Sequence, residues 1–305
     1  MQDLSQDPQL HPQTKRRTAT ELKPVTTKIE ADGATLSGIW CEPPGATDAV
    51  AVLHGATGAP QRYYRHFARW LAEERGVACL TYDYRDFGAS ATGPVRASRA
   101  TMADWGIKDQ AAALSAATDR AAMTDAPVWV IGHSLGGFMT SFHANAGAID
   151  RLIAVASGPV HVSDHPLRYL PLALAFWYGF GPAVAALTGI MPGRLFGAGP
   201  GANLPAPVYW QWRRWCTSRD FFACDIARGL MPPPDPERFQ GRLKMIAVAD
   251  DDTIPPHTVW RLARHYPEAW RSQLTLKPEA YGLGDVGHLG AFARRNAALW
   301  PDIIA

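Results

Sequence analysis

Ser134 sits in Gly132-His133-Ser134-Leu135-Gly136, between the apolar run Val128–Ile131 and a segment, Phe138 to Ala146, that reads as a helix. The apolar run has the pattern of a strand buried on both faces. A serine on a sharp turn from such a strand into a helix can expose its Oγ and act as a nucleophile. That turn presses its own neighbours together, so only glycine fits two residues before and two after the serine. The N–H of Leu135, at the free start of the following helix, is placed to face a developing oxyanion.

A serine nucleophile of this kind needs a second oxyanion donor, an acid and a histidine. Upstream, Ala49–Leu53 reads as a short apolar strand that runs into the small-residue loop His54-Gly55-Ala56-Thr57-Gly58. The N–H of Ala56 is the expected second donor, with His54 propping the loop. Downstream, the strand at Leu243–Ala249 runs into Asp250-Asp251-Asp252. Three adjacent carboxylates cannot all be buried unpaired, so one is expected to turn inward to a histidine while the others stay solvated or cap a helix. Asp164, after the preceding strand, is a more distant candidate. His288, in Gly284-Asp285-Val286-Gly287-His288, is the one histidine in the loop after the last strand. His133 lies inside the turn, where any residue is tolerated. His161 and His165 are four apart but lack a third ligand, so no metal site is expected.

The elements that must bring these residues together alternate in type. Val25–Ala31 and Ala34–Trp40 read as a hairpin around Asp32-Gly33. A helix at about 61–75, stopped by Gly76, precedes the strand Val77–Tyr82. A helix from Trp105 to about Met123 leads to the Val128 strand, and Leu152–Ala156 follows. Apolar strands alternating with helices indicate a mostly parallel central sheet with helices on both faces. Residues 1–24 read as a disordered arm. Residues 25–160 and 241–305 form the expected α/β core. Residues 161–240, rich in Pro, Gly and aromatics, are too long for a plain loop and read as an inserted helical cap. Its Trp177, Trp210 and Trp212 are the expected substrate-binding aromatics.

At 305 residues and 47% hydrophobic content the chain can bury a large core. A net charge of +2 with 19% charged residues leaves no basic stripe, which argues against a nucleic-acid partner. The four cysteines are scattered, and Cys79 reads as a small buried hydrophobe. With no apolar leader at the start, a cytoplasmic enzyme is expected. Tyr169 to Met191 carries no formal charge and is long enough to span a bilayer. Pro171 and the Gly179-Phe180-Gly181-Pro182 break instead favour two apolar helices over a pocket, with contact at a membrane surface as the intermediate case. Gly282-Leu283-Gly284-Asp285-Val286-Gly287 spells a dinucleotide fingerprint, but no βαβ unit follows it.

From about Val25 to Trp300 the chain resembles the α/β-hydrolase superfamily, on His54-Gly55, Gly132-His133-Ser134-Leu135-Gly136-Gly137, Asp252 to Pro256 and Gly287-His288. Gly55 to Ala68, Thr81-Tyr82-Asp83-Tyr84-Arg85, Asp104-Trp105 and Gln211-Trp212-Arg213-Arg214-Trp215-Cys216 look like a bacterial group known only as α/β-hydrolases of unassigned substrate. The resemblance implies a triad of Ser134, Asp252 and His288, since the acid commonly stands four residues before the proline that precedes the helix, here Pro256. Asp251 is the next choice. Asp86 stands where the superfamily usually has glycine, and aspartate tolerates the left-handed backbone that such a turn needs. The implied activity is cleavage of a small or medium apolar carboxylic ester through an acyl-enzyme, with no cofactor. Acyl transfer, amide or carbon–carbon cleavage by the same residues, or ligand binding without catalysis, are the alternatives. Oligomeric state is not encoded in these motifs.

Overall fold

A computed structural model describes residues 24–196 and 202–305; the arm expected over residues 1–24 lies, apart from Pro24, outside the described residues. Eight strands form one sheet in the order β1-β2-β4-β3-β5-β6-β9-β10. They are β1 (Val25–Ala31), β2 (Ala34–Cys41), β3 (Ala49–His54), β4 (Val77–Tyr82), β5 (Val128–His133), β6 (Arg151–Val155), β9 (Arg242–Val248) and β10 (Trp270–Leu276). The first two pair antiparallel through a tight turn with Gly33 at φ 75°, and β2 meets β4 antiparallel. Every other neighbour is parallel. The mostly parallel sheet read from the apolar runs is therefore present.

Alternation along each strand splits the core in two. In β3, Val50 and Val52 join the layer containing Trp105, Leu114 and Phe138. Ala49, Ala51 and Leu53 join the layer with Phe67, Leu71, Phe292 and Trp300 on the opposite face. The second layer includes the helix α1 (Arg65–Arg75), which Gly76 ends at φ 66° by returning its N–H to the Leu71 carbonyl. The first includes α2 (Gln110–Ala122), entered through a π-helical turn at Asp104–Asp109.

The helix expected after β5 is shortened. After β5 the helix α3 covers only Leu135–Phe138 and gives way to 3-10 turns at Thr140–Phe142 and Ala146–Ala148. The adjoining Gly136-Gly137 and Thr140-Ser141 are weak helix formers, which explains the early stop. The C-terminal segment is likewise a series of short turns, at Gly287–Gly290, Arg294–Leu299 and Trp300–Ile304.

Between β6 and β9 the chain leaves the sheet, although these strands are direct neighbours. This excursion carries the helix α4 (Leu170–Thr188), the two-stranded pair β7 (Ile190–Met191) and β8 (Leu204–Pro205), and the helix α5 (Ala206–Cys216).

One buried ion pair fixes the turn after β4. Asp109 is fully buried and receives the Arg85 backbone N–H at 2.8 Å and its guanidinium at 2.6 and 2.7 Å. The next residue, Asp86, takes φ 57°, the left-handed conformation expected of it. Arg85→Met would strand the Asp109 carboxylate in the core. A loss of about 3–5 kcal/mol is expected for a broken buried pair, measured by urea denaturation; no change in midpoint would refute the assignment.

Candidate active site

All strands that matter end on one rim, because parallel strands present their carboxyl ends together. His54, the last residue of β3, is in register with Gly132 of β5. The loop after β3 and the turn after β5 therefore lie side by side. Ser134 occupies φ 53°, ψ −116°, a strained conformation for a side chain other than glycine. Its N–H donates to the Val155 carbonyl at 3.0 Å, and its own carbonyl accepts from Ser157 Oγ at 2.6 Å and from the Gly137 N–H at 3.1 Å. The turn is thus tied to β6 on both sides. A Cβ on Gly132 would lie 2.3 Å from the Gly136 carbonyl oxygen, and one on Gly136 only 2.0 Å from that of His54. The two glycines of the motif are required by backbone contact, as the spacing suggested.

The three aspartates after β9 divide into three tasks. Asp251 is 2% exposed, and its Oδ2 accepts from His288 Nδ1 at 2.8 Å. Its Oδ1 receives the backbone N–H groups of Thr253 and Ile254 at 2.8 and 2.9 Å. Asp250 accepts from the N–H groups of Val286 and Gly287 at 2.8 and 3.0 Å, pinning the loop just before the histidine. Asp252 faces outward into a two-toothed pair with Arg168 at 2.6 and 2.8 Å. The structure thus corrects the expected acid: Asp251, not Asp252, meets the imidazole. Counting back from Pro256 missed this because the tight turn that Asp251 makes with Thr253 and Ile254 aims only that side chain inward. Asp164 is committed to Arg261 at 2.6 and 2.8 Å.

A second correction concerns the loop after β3. The Ala56 N–H is directed to the Tyr64 hydroxyl at 2.8 Å, so it is already spent. The Gly55 carbonyl accepts from Tyr84 at 2.8 Å, which holds the loop from its other side. Thr57, the next residue, lines the cavity beside Ser134 and Leu135.

His133, set aside by sequence reasoning, joins the parts. Its Nε2 lies 2.9 Å from the His288 carbonyl and must donate to it, so its Nδ1 accepts from the Tyr64 hydroxyl at 2.9 Å. The chain of bonds runs from Ala56 through Tyr64 and His133 to the backbone of His288. No sequence signal marked it, since the motif leaves that position free. His54 props the same region through Tyr82 at 2.7 Å.

Ser134 and His288 open into one cavity of about 410 Å³. Its wall is apolar, with Leu172, Phe176, Trp177 and Trp212 from the excursion and Phe138 from below. Trp210, expected among the binding aromatics, is not part of it. On a helix, Trp212 and Cys216 share a face four residues apart, whereas Trp210 is turned well away from them. Among the described residues no group of three His, Cys, Asp or Glu could hold a metal ion. One cavity thus holds a serine on a strained backbone and an imidazole whose far nitrogen meets a buried carboxylate, the residue types needed for nucleophilic acyl transfer.

A family model described as the alpha/beta hydrolase family matches residues 50–299. The chain belongs to that family. Solved structures of the same fold include a soluble variant of monoglyceride lipase from Saccharomyces cerevisiae in complex with a substrate analog, at TM-score 0.66 and 14% identity over 97% of each chain. A thermophilic esterase from Thermogutta terrifontis aligns at TM-score 0.50 and 16% identity, over 92% of this chain and 96% of that one. Rv0554 from Mycobacterium tuberculosis aligns at 0.52 and 19%, over 92% and 97%. At such identities the likeness is one of fold. No curated protein matches the sequence.

Three buried histidines of this region set an acid limit on stability. Burial holds His133 down to about 3 and His143 to about 4, and keeps His54 well below its usual range. Each is neutral when folded and protonates near its ordinary value when unfolded, so the stability it confers is present above about pH 6.5 and drains as the pH falls toward 4. Asp109, which burial pushes up to about 6, works in the opposite sense between about pH 6 and 4. The histidines outnumber it. The urea midpoint should therefore drop steadily from pH 6.5 to 4.5, and a midpoint that holds or rises there would contradict these burials.

Proposed function

We propose that the protein is a serine hydrolase that cleaves carboxylic esters of small to medium apolar substrates through an acyl-enzyme. The observation that carries this reading is the contact between His288 Nδ1 and the buried Asp251 at the mouth of a cavity shared with Ser134. Asp251 would hold the imidazole with Nδ1 protonated, leaving Nε2 to take the Ser134 proton as Oγ attacks the ester carbonyl. The tetrahedral oxyanion would be received by the Leu135 N–H, with Thr57 supplying the second donor in place of Ala56. Collapse expels the alcohol, which takes the proton back from His288. A water molecule then attacks the acyl-serine, giving its proton to His288, and the acid leaves as Ser134 is restored. The excursion acts as the cap, and its Trp177, Trp212 and Phe176 favour an apolar acyl or alkyl chain. The fold likeness to a lipase and an esterase is in keeping with this chemistry.

Two predictions separate this reading from a non-catalytic binder. Ser134→Ala should lower kcat on p-nitrophenyl esters by on the order of 10⁴–10⁶ and abolish labelling by a fluorophosphonate probe. Full activity in that variant would overturn the assignment. Asp251→Asn should lower kcat on the order of 10⁴-fold by releasing the imidazole tautomer. Asp252→Asn, which only loosens an exposed pair, should stay within about fivefold of the parent. The reverse ranking would restore Asp252 as the acid.

A further inference from the structure

The helix α4 (Leu170–Thr188) is apolar on the side that faces away from the protein. Its buried residues recur every four, at Ala173, Trp177, Gly181 and Ala185, and this stripe packs inward. A surface helix ordinarily offers charge on the other side. Here Leu172 is 55% exposed, Tyr178 53% and Leu187 86%, and Phe180 is also exposed. Leu195 after the helix is exposed too and lines the same cavity as Leu172 and Phe180, and Leu167 before the helix is also exposed. The helix is long and apolar enough to cross a bilayer by length and composition. Its inward stripe is nevertheless engaged: Trp177 stacks on Tyr209 at 6.0 Å, and a π-helical turn at Ala175–Gly179 directs the Phe176 and Trp177 carbonyls to Tyr209 and Arg213 at 2.8 and 2.5 Å. A helix so held can lie on a membrane but not pass through it.

Two further observations name what covers the patch. Between Asp164 and Asp220 the sequence has five arginines, at 168, 194, 213, 214 and 219, and no carboxylate, in a chain whose net charge is only +2; Asp252 and Asp225 balance Arg168 and Arg214, so the basic character rests on Arg194, Arg213 and Arg219. Arg194 is exposed beside the patch. In addition, Leu172, Phe180 and Leu195 belong both to the exposed patch and to the wall of the Ser134 cavity. The apolar surface thus runs continuously from the outside to the candidate nucleophile. We propose that this face docks on an anionic lipid–water interface, lying in its plane, so that the cavity opens toward the lipid and takes apolar esters from it. The docking stands on the surface alone; the choice of lipid-borne esters rests on the function proposed above.

Flotation of the full chain with vesicles tests this. The protein should rise with vesicles of phosphatidylcholine and phosphatidylglycerol in equal parts, rise much less with phosphatidylcholine alone, and be released by salt. Ser134→Ala should float as the parent does, so loss of hydrolysis and loss of docking are told apart. Leu174, 43% exposed on the same helix, and Leu187 both lie outside the cavity, and the double variant L174E/L187E changes them together. It should bind vesicles about 100-fold more weakly while hydrolysing p-nitrophenyl acetate at the parent rate. Arg194→Glu should weaken binding to the anionic vesicles without altering the circular dichroism spectrum. The proposal is overturned if the parent stays with the lipid-free fraction on both compositions, or floats equally on both. It is also overturned if L174E/L187E floats undiminished. A dimer of the parent by light scattering that L174E/L187E dissociates, without vesicle binding by either, would assign the patch to a second copy of the chain.

Discussion

The arrangement of this protein depends on a close approach of backbones at the carboxyl rim of the sheet. Gly136 lies so near the His54 carbonyl that no side chain fits between them. That contact locks the turn carrying Ser134 against the loop after β3, and hydrogen bonds to Val155 and Ser157 lock the same turn against β6. The backbone strain at Ser134 persists because its surroundings hold it from three directions. The backbone that carries the Ser134 hydroxyl is thus held in one conformation, which is the preorganisation that the proposed nucleophilic role needs.

The same rim gathers side chains from strands far apart in sequence. Asp250 and Asp251 leave one strand end and divide the loop before His288 between them, one binding its backbone and the other its imidazole. Adjacent carboxylates that would repel in a uniform environment are separated by giving each its own donors. The Tyr64–His133 bridge then joins the histidine loop to the loop after β3. Burial keeps the His133 imidazole neutral, so it can donate with one nitrogen and accept with the other. Two loops and one turn therefore behave as a single unit built on the sheet.

Above that unit the excursion between β6 and β9 is organised on other terms. It packs by aromatic contacts, among them Trp177 on Tyr209 and Trp215 against Phe138, and by the buried Asp225, which receives Arg214, Gln211 and Trp215. Its inner face closes the cavity with apolar groups while its outer face remains apolar too. The core carries Ser134 and His288, and the excursion contributes apolar walls to the cavity that they line.

Much of this was legible in the chain itself. Uniformly apolar runs marked the parallel strands, Asp32-Gly33 and Gly76 marked turns that φ values of 75° and 66° bear out, and the glycine spacing around Ser134 followed from contact distances in the backbone. Local sequence determines these features because each rests on the conformational range or size of one or two residues. What it did not determine was the direction of side chains held by partners remote in sequence. Which of three aspartates meets an imidazole depended on where His288, 37 residues further along the chain, comes to lie. Whether the Ala56 N–H stays free depended on a tyrosine eight residues on. Trp210 was separated from Trp212 by the face of the helix that meets the cavity. Those choices belong to tertiary structure, since a hydrogen bond or a buried face is decided only when both sides of the contact are present.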